Sequence, residues 1–89
     1  MNKNDCSVLY VLYDGGYFNS LKSVTASEIS RITKLGGTKI RKVLNEFKDS
    51  GYVEEGLKKA QARTFYITDS GIEFLKKTVY PNTLEELSE

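Results

Sequence analysis

Four apolar residues form the clearest helical pattern in the chain. They are Ile40, Val43, Leu44 and Phe47. Their i, i+3, i+4 and i+7 spacing puts all four on one face of a helix. Gly51 follows at the position where a left-handed C-terminal cap belongs. The pattern predicts a short helix that is fixed to a core by one face and presents its other face outward.

A second helix is predicted just before this one. Thr25-Ala-Ser-Glu28 fits a capping box, in which the Thr25 hydroxyl accepts from the Glu28 amide and the Glu28 carboxylate reaches back. The helix should begin at Ala26. Gly36-Gly37 should end it, because glycine adopts the positive φ that a sharp reversal requires. Its expected inner face consists of Ala26, Ile29 and Ile32.

The first helix is expected to start from a cap at Asn4 or Asp5 and to end near Asp14, before Gly15-Gly16. Its sequence SVLYVLY is apolar nearly all round, which indicates burial on two sides. In so small a domain, we expect part of this surface to contact a second copy of the chain. The candidate contact residues are Tyr10, Val11 and Tyr13.

Residues 52–68 have the character of a β-hairpin. Residues 52–55 and 63–68 are predicted strands, because the second is rich in β-branched and aromatic residues, and residues 56–62 form the tip. A short additional strand is predicted over residues 21–24. Thr68 should then cap a last helix that Pro81 ends. The inward residues of that helix are expected to be Ile72, Leu75 and Val79.

With 89 residues, 39% of them hydrophobic, the chain is expected to form one domain over residues 1–89. The fold class is mainly α with a small β-hairpin (α+β). The predicted parts are a helix-turn-helix motif over 25–51, a hairpin over 52–68, a closing helix over 69–80 and an acidic tail over 81–89.

The composition argues against several classes of chemistry. The chain has no histidine and a single cysteine, Cys6. A Cys/His metal site and a histidine-based catalytic triad therefore cannot be built from its own residues. We expect no catalytic residues, no metal and no cofactor, and we interpret Cys6 as a small buried hydrophobe rather than a redox switch. The lack of a long apolar run and of a secretion signal predicts a cytoplasmic protein with no membrane partner.

Positive charge is concentrated in the middle of the chain. Residues 20–63 carry ten Lys and Arg against five Asp and Glu, a net charge of +5, although the whole chain carries only +1. The segments on either side are net acidic. This distribution favours a polyanion as the partner of the middle segment.

The outward face of the second helix of the motif carries side chains of the types that can read DNA bases. Arg and Lys pair with guanine, and Asn pairs with adenine, in a major groove that accepts a helix of this diameter. The predicted recognition residues are Thr38, Lys39, Arg41, Lys42 and Asn45. Cations at the hairpin tip suit phosphate contact, and hydroxyls at the start of the preceding helix suit phosphate donation. These predicted phosphate contacts are Lys58, Lys59, Gln61, Arg63, Thr25 and Ser27.

The order of elements resembles the winged helix-turn-helix superfamily, as in MarR-like and ArsR-like regulators. The resemblance rests on TASEISRITKLGGTKIRKVLNEFKDSGYV and on RTFYITDSGIEFL, which is similar to the aromatic-x-Ile/Leu-Thr-x-x-Gly-x-x-x-Leu end of a wing. The resemblance implies that residues 39–45 lie on the recognition helix and 58–63 in the wing. The chain departs from the pattern at Gly36, where such families more often place a Ser or Thr cap.

The resemblance, together with the expected contact between two copies through the first helix, predicts a homodimer that binds double-stranded DNA. It leaves two roles open: a small transcriptional repressor, or the adaptor that binds centromere DNA in a tubulin-type plasmid or phage partition system. An alternative is a winged helix that has become a protein-interaction module, with its lysine-rich surface on an acidic partner. A salt titration of DNA binding distinguishes the two hypotheses, because the first predicts a steep loss of DNA affinity as the salt concentration rises.

Overall fold

The computed structural model describes residues 3–78, so the predictions for Val79, Pro81 and the acidic tail lie outside the described residues. The elements in chain order are α1 (Lys3–Asp14), β1 (Val24–Thr25), α2 (Ala26–Thr33), α3 (Gly37–Asp49), β2 (Val53–Glu55), β3 (Thr64–Ile67) and α4 (Asp69–Thr78). The three strands form one antiparallel sheet in the order β1-β3-β2.

Helix α1 is the central support of the fold. Val8, Leu9 and Leu12 are fully buried, and the helix contacts α2, α3, α4 and β3. The helix begins at Lys3, so Asn4 and Asp5 lie within its first turn and the prediction that either residue caps it was wrong. An acidic residue in the first turn still interacts favourably with the helix dipole.

Helix α2 begins at Ala26 as predicted, and half of the capping box is confirmed. The Thr25 hydroxyl accepts from the Glu28 amide at 3.3 Å, but the Glu28 carboxylate accepts from Arg31 at 2.9 Å. Ala26 and Ile29 are buried. Ile32 is 54% exposed, so its predicted inward position was wrong. The inner stripe continues instead to position 33, seven residues after Ala26, where the side chain is half-buried.

The turn between α2 and α3 is built differently from the prediction. The left-handed residue is Lys34, with φ 66°, and its amide donates to the Ser30 carbonyl at 2.9 Å. Gly36 has φ −64° and is the N-cap of α3, and Gly37 is already helical. The predicted glycine reversal was therefore wrong. The Ser30 hydroxyl donates to the Leu35 carbonyl, which satisfies a backbone group that the reversal leaves without a helical partner.

Helix α3 matches its prediction at both the core face and the C-terminus. All four predicted apolar residues are at most 2% exposed. Gly51 has φ 84°, its amide donates to the Lys48 carbonyl at 3.0 Å, and the Tyr52 amide donates to the Phe47 carbonyl at 2.9 Å. These two bonds form a Schellman motif. The Phe47 and Tyr52 rings, whose centres are 6.3 Å apart, supply the apolar contact that accompanies it. The motif fixes the direction in which the chain leaves α3.

The sheet closes one side of the core. β3 lies in the centre, with Val53 opposite Ile67 on one side and Val24 opposite Phe65 on the other, and all four residues are buried. The hairpin prediction is confirmed. The additional strand is Val24–Thr25 rather than residues 21–24, because the Asn19 side chain accepts from the amides of Leu21 and Lys22 and holds them in a turn.

The start of α4 explains the sequence motif at the end of the hairpin. The Thr68 hydroxyl accepts from the Gly71 amide at 3.1 Å, which makes Thr68 the N-cap. A Cβ at Gly71 would clash with the Tyr52 carbonyl and with Ile67, so only glycine fits. Leu75 is fully buried and Ile72 packs against the core, while the Tyr52 and Phe74 rings stack at 4.4 Å.

Candidate nucleic-acid interface

The outward face of α3 carries four of its five predicted recognition residues in exposed positions. They are Thr38, Arg41, Lys42 and Asn45. Their exposure follows from the opposite face, because the buried apolar stripe fixes the rotation of the helix about its axis. Asp49 is also exposed at the last turn, so the cationic part of this face ends before the helix does.

Lys39 lies apart from the other recognition residues. Its ammonium is 3.3 Å from Asp5 Oδ1 on α1, and its side chain is 41% exposed. This ion pair joins the first turn of α3 to the first helix. Lys39 therefore faces the side of the domain where α1 lies.

A cleft of about 280 Å³ lies where the start of α2, the α3 helix and the hairpin meet. Its lining residues are Thr25, Ala26, Ser27, Arg41, Gln61, Ala62, Arg63 and Phe65. The structure thus brings together predicted residues from three separate segments of the sequence. Two guanidinium groups, a carboxamide and two hydroxyls line one cleft, which is a set of groups suited to an anion.

The start of α2 contributes more than its side chains to this cleft. The first amides of a helix point outward and carry partial positive charge, which favours an anionic ligand there. Ser27 is exposed and has a hydroxyl to donate. The oxygen of Thr25 already accepts from the Glu28 amide, so its O–H is the group that remains to donate.

The hairpin tip presents its cations on a tight turn. The amides of Lys59 and Ala62 donate to each other's carbonyls at 3.0 and 2.9 Å, across two residues with positive φ, Ala60 at 50° and Gln61 at 69°. Two positive φ values are the signature of the type I′ turn, whose twist matches that of a hairpin. Lys58, Lys59 and Gln61 are all exposed.

A network of charged groups that no local sequence pattern predicts joins α3 to the hairpin. The Glu55 carboxylate accepts from Arg63 Nε at 2.9 Å, from Arg63 Nη2 at 3.0 Å and from Lys48 Nζ at 2.5 Å. Arg63 Nη2 also lies 3.5 Å from Asn45 Oδ1. The bonded partners lie at least seven positions apart, on α3, on β2 and just before β3, so no local spacing marks them.

This network changes the acid–base properties of its members. The hydrogen bonds from Arg63, and then from Lys48, lower the pKa of Glu55 to about 2. Glu55 in turn raises the pKa of Arg63. The Arg63 guanidinium lies 5.3 Å from the centre of the Phe65 ring, a cation–π contact that also holds it in place. Arg63 is therefore more fixed than the lysines of the tip.

Two further sequence predictions concern Cys6 and the membrane. Cys6 is 8% exposed, and the pKa of its thiol is raised by burial and by the neighbouring Asp5. These properties agree with the interpretation of Cys6 as a buried apolar group. Within residues 3–78, the structure contains no helix with the length and apolar character needed to cross a bilayer.

Comparison with known proteins identifies relatives over most of the chain. No protein-family model matches it. The chain is 38% identical over 76 residues to the DNA-binding protein TubR of a Clostridium botulinum C phage, a match that covers 85% of this chain and 94% of the relative. The solution structure of the DNA-binding TubR fragment from Clostridium botulinum superposes with a TM-score of 0.71 at 38% identity, over 86% of this chain and 95% of the other.

More distant structures show the same fold. TubR from Bacillus megaterium pBM400 has a TM-score of 0.77 at 18% identity, over 89% of this chain and 87% of its own. The Staphylococcus aureus MepR–DNA complex has a TM-score of 0.77 at 13% identity, over 100% of this chain and 68% of MepR. The winged helix-turn-helix architecture is thereby confirmed. The prediction that the chain is not an enzyme is confirmed as well, because the relatives it matches are DNA-binding proteins. The extent and identity of the first match show that the chain belongs to the TubR family of winged-helix proteins.

Proposed function

We propose that the chain binds double-stranded DNA sequence-specifically, with α3 in the major groove and the hairpin as the wing on the backbone. The observation that carries this proposal is the cleft, which collects Arg41, Gln61 and Arg63 beside the start of α2. A phosphate in the cleft would meet guanidinium groups and helix amides together. The relationship to DNA-binding TubR proteins supports the same conclusion.

Base reading is assigned to the exposed face of α3. Arg41 and Lys42 suit guanine, Asn45 suits adenine, and Thr38 suits a base or a thymine methyl group near the start of the helix. Lys39 is included among the recognition residues. Its ammonium group must break its ion pair with Asp5 before it can contact a base. Each base-reading side chain is expected to contribute about 1–3 kcal/mol of discrimination.

Phosphate contacts are assigned to the wing and to the start of α2. Lys58, Lys59 and Gln61 lie at the tip, and Arg63 lies where the wing meets the cleft. Thr25 and Ser27 donate from the other side of the cleft. Such contacts set affinity and orientation and carry no base information of their own.

Salt titration of DNA binding tests this division of roles. The affinity of the wild type for a random duplex should fall steeply as the salt concentration rises. In a plot of log affinity against log salt concentration, each phosphate contact adds about 0.9 to the steepness of the slope. Lys58→Ala should weaken binding to every sequence and reduce the slope by about 1. Lys77→Ala, which removes an exposed lysine of α4 outside the cleft, is the matched control.

The base-reading assignment requires a selected binding site. Asn45→Ala and Arg41→Ala should reduce preference for that site over random DNA, while Lys58→Ala should leave the preference intact. If the protein binds neither the selected site nor random DNA at low salt, the proposal is refuted and the protein-interaction alternative is favoured.

We also propose that the chain acts as a homodimer through α1. Tyr10 is 42% exposed within the apolar run of α1, and Val11 and Tyr13 are half-buried beside it. Phe18 extends the same surface, with its ring 6.0 Å from that of Tyr13. Sedimentation equilibrium should give a dimer for the wild type and a monomer for Tyr10→Glu. A monomeric wild type at micromolar concentration would refute this assignment.

The biological role that we propose is the centromere-binding adaptor of a tubulin-type partition system, acting in the cytoplasm where that DNA lies. Membership of the TubR family supports this role over that of a repressor. Selection of bound fragments from the source DNA tests it. Tandem repeats are the expected result, whereas one palindrome overlapping a promoter would indicate a repressor.

A further inference from the structure

Glu55 occupies an unusual position for an acidic residue in a surface that is proposed to bind DNA. It lies at the end of β2, with its side chain between α3 and the wing, and its carboxylate contacts two cations at hydrogen-bond distance. A carboxylate at this point offers Lys48 and Arg63 the same oxygen geometry that a DNA phosphate would offer.

Arg63 and Glu55 form a bidentate ion pair. Nε donates to one carboxylate oxygen and Nη2 to the other, so both oxygens are engaged by one guanidinium. Lys48 adds a third donor from the last turn of α3. The carboxylate stays ionised at neutral pH, since these donors lower its pKa to about 2.

All three side chains remain accessible to solvent. The exposed fractions are 47% for Arg63, 44% for Lys48 and 31% for Glu55. Ion pairs with this degree of exposure are weak. A polyanion that approaches the wing therefore competes with Glu55 for both cations.

We propose that Glu55 is an internal counter-ion that competes with DNA phosphate for Arg63 and Lys48 and thereby limits sequence-independent binding. This inference rests on the proposed DNA binding and adds a specificity-determining residue to it. The single charge of the carboxylate can balance only one of the two cations, and the bidentate contact directs it mainly to Arg63. While this pair is intact, Arg63 releases few counter-ions from DNA. The exposed lysines of the tip and the other cleft arginine, Arg41, then supply most of the non-specific affinity.

The test compares two neighbouring glutamates. Glu55→Gln removes the carboxylate charge and keeps the size of the side chain. Glu54→Gln makes the same change in net charge at the adjacent residue, whose carboxylate accepts from the Tyr66 hydroxyl at 3.0 Å. Alternate residues of a strand point to opposite faces, so the Glu54 side chain leaves the sheet away from Glu55.

Binding of both variants and the wild type to a random duplex is measured between about 50 and 200 mM salt. Each cation released to a phosphate adds about 0.9 to the log–log slope, which is about a 3.5-fold greater loss of affinity over this range. Because Glu55→Gln uncovers one positive charge, its affinity should fall about 3.5-fold more over this range than that of Glu54→Gln. At the lower salt it should bind random DNA more tightly than Glu54→Gln does.

Arg63→Gln provides a second, independent measurement. With Glu55 present, this variant should change the slope by clearly less than 0.9, because the charge of Arg63 is already balanced. In the Glu55→Gln background, the same substitution should remove the added slope that Arg63 contributed. A purely structural role for Glu55 would weaken binding and would not steepen its salt dependence.

The outcomes separate this inference from the proposed function. If the wild type binds random DNA with strong salt dependence and the two glutamate variants have equal slopes, the role of Glu55 is overturned and DNA binding stands. If the wild type does not bind DNA at the lowest salt, both are overturned.

Discussion

Gly36 and Gly51 stand at the two ends of α3 and allow one substitution to be tested in two backbone conformations. Gly36 is the N-cap with φ −64°, and Gly51 follows the helix with φ 84°. A Cβ built at either position meets nothing within 4 Å. A serine at each site therefore causes no steric clash, and its effect comes from backbone conformation and capping alone.

The two serine variants should change stability in opposite directions. At Gly51, a non-glycine residue in the left-handed region costs about 1–2 kcal/mol. The smaller conformational freedom of the unfolded chain offsets about 0.4–1 kcal/mol of that cost, which leaves a net loss of about 1 kcal/mol. At Gly36, a serine hydroxyl oxygen can accept a hydrogen bond from a backbone amide of the first turn of α3. This bond should stabilise the protein by a few tenths of a kcal/mol.

Urea unfolding followed by circular dichroism measures both values. All variants are compared at one protein concentration, because the proposed dimer formation would make stability depend on concentration. In thermal unfolding, Gly51→Ser should lower Tm by about 4–8 °C. Gly51→Asn should lose less than Gly51→Ser, since asparagine tolerates the left-handed region. A Gly51→Ser protein that is as stable as Gly36→Ser would refute the reasoning from φ.

Three further predictions concern the wing and the start of α4. Gly71→Ala should lower the free energy of unfolding by about 1–3 kcal/mol, because its Cβ clashes with the Tyr52 carbonyl; urea unfolding beside Gly36→Ala measures this, and equal losses would contradict it. Thr68→Ala should cost about 1 kcal/mol in the same assay through loss of the N-cap bond, and Thr68→Ser should restore most of it. The pKa of Glu55 is lowered from 4.5 to about 2, so its ion pairs stabilise the folded state above about pH 4.5 and lose this effect as the pH falls towards 2. Unfolding measured from pH 6 to pH 2 should therefore show a smaller acid-induced loss of stability for Glu55→Gln than for the wild type, and identical losses would contradict the assignment.

The sequence by itself determined the features that depend on local spacing. The four apolar residues of α3 fixed which of its faces is buried, and therefore which side chains point outward. The cap at Thr25, the left-handed Gly51 and the cap at Thr68 are each decided by the residues within one helical turn. The same local rules failed at the α2–α3 turn, where Lys34 rather than a glycine takes the positive φ.

Tertiary structure alone decided which distant side chains meet. β1 pairs with β3, and the two residues of the pair Val24 and Phe65 are 41 positions apart in the chain. A two-residue strand carries no periodic signal. Lys39 turns towards Asp5, and Glu55 joins Lys48 to Arg63, because packing of the core brings those elements together. An ion pair between separate elements depends on where both backbones lie, and the residue pattern of either segment contains only half of that information.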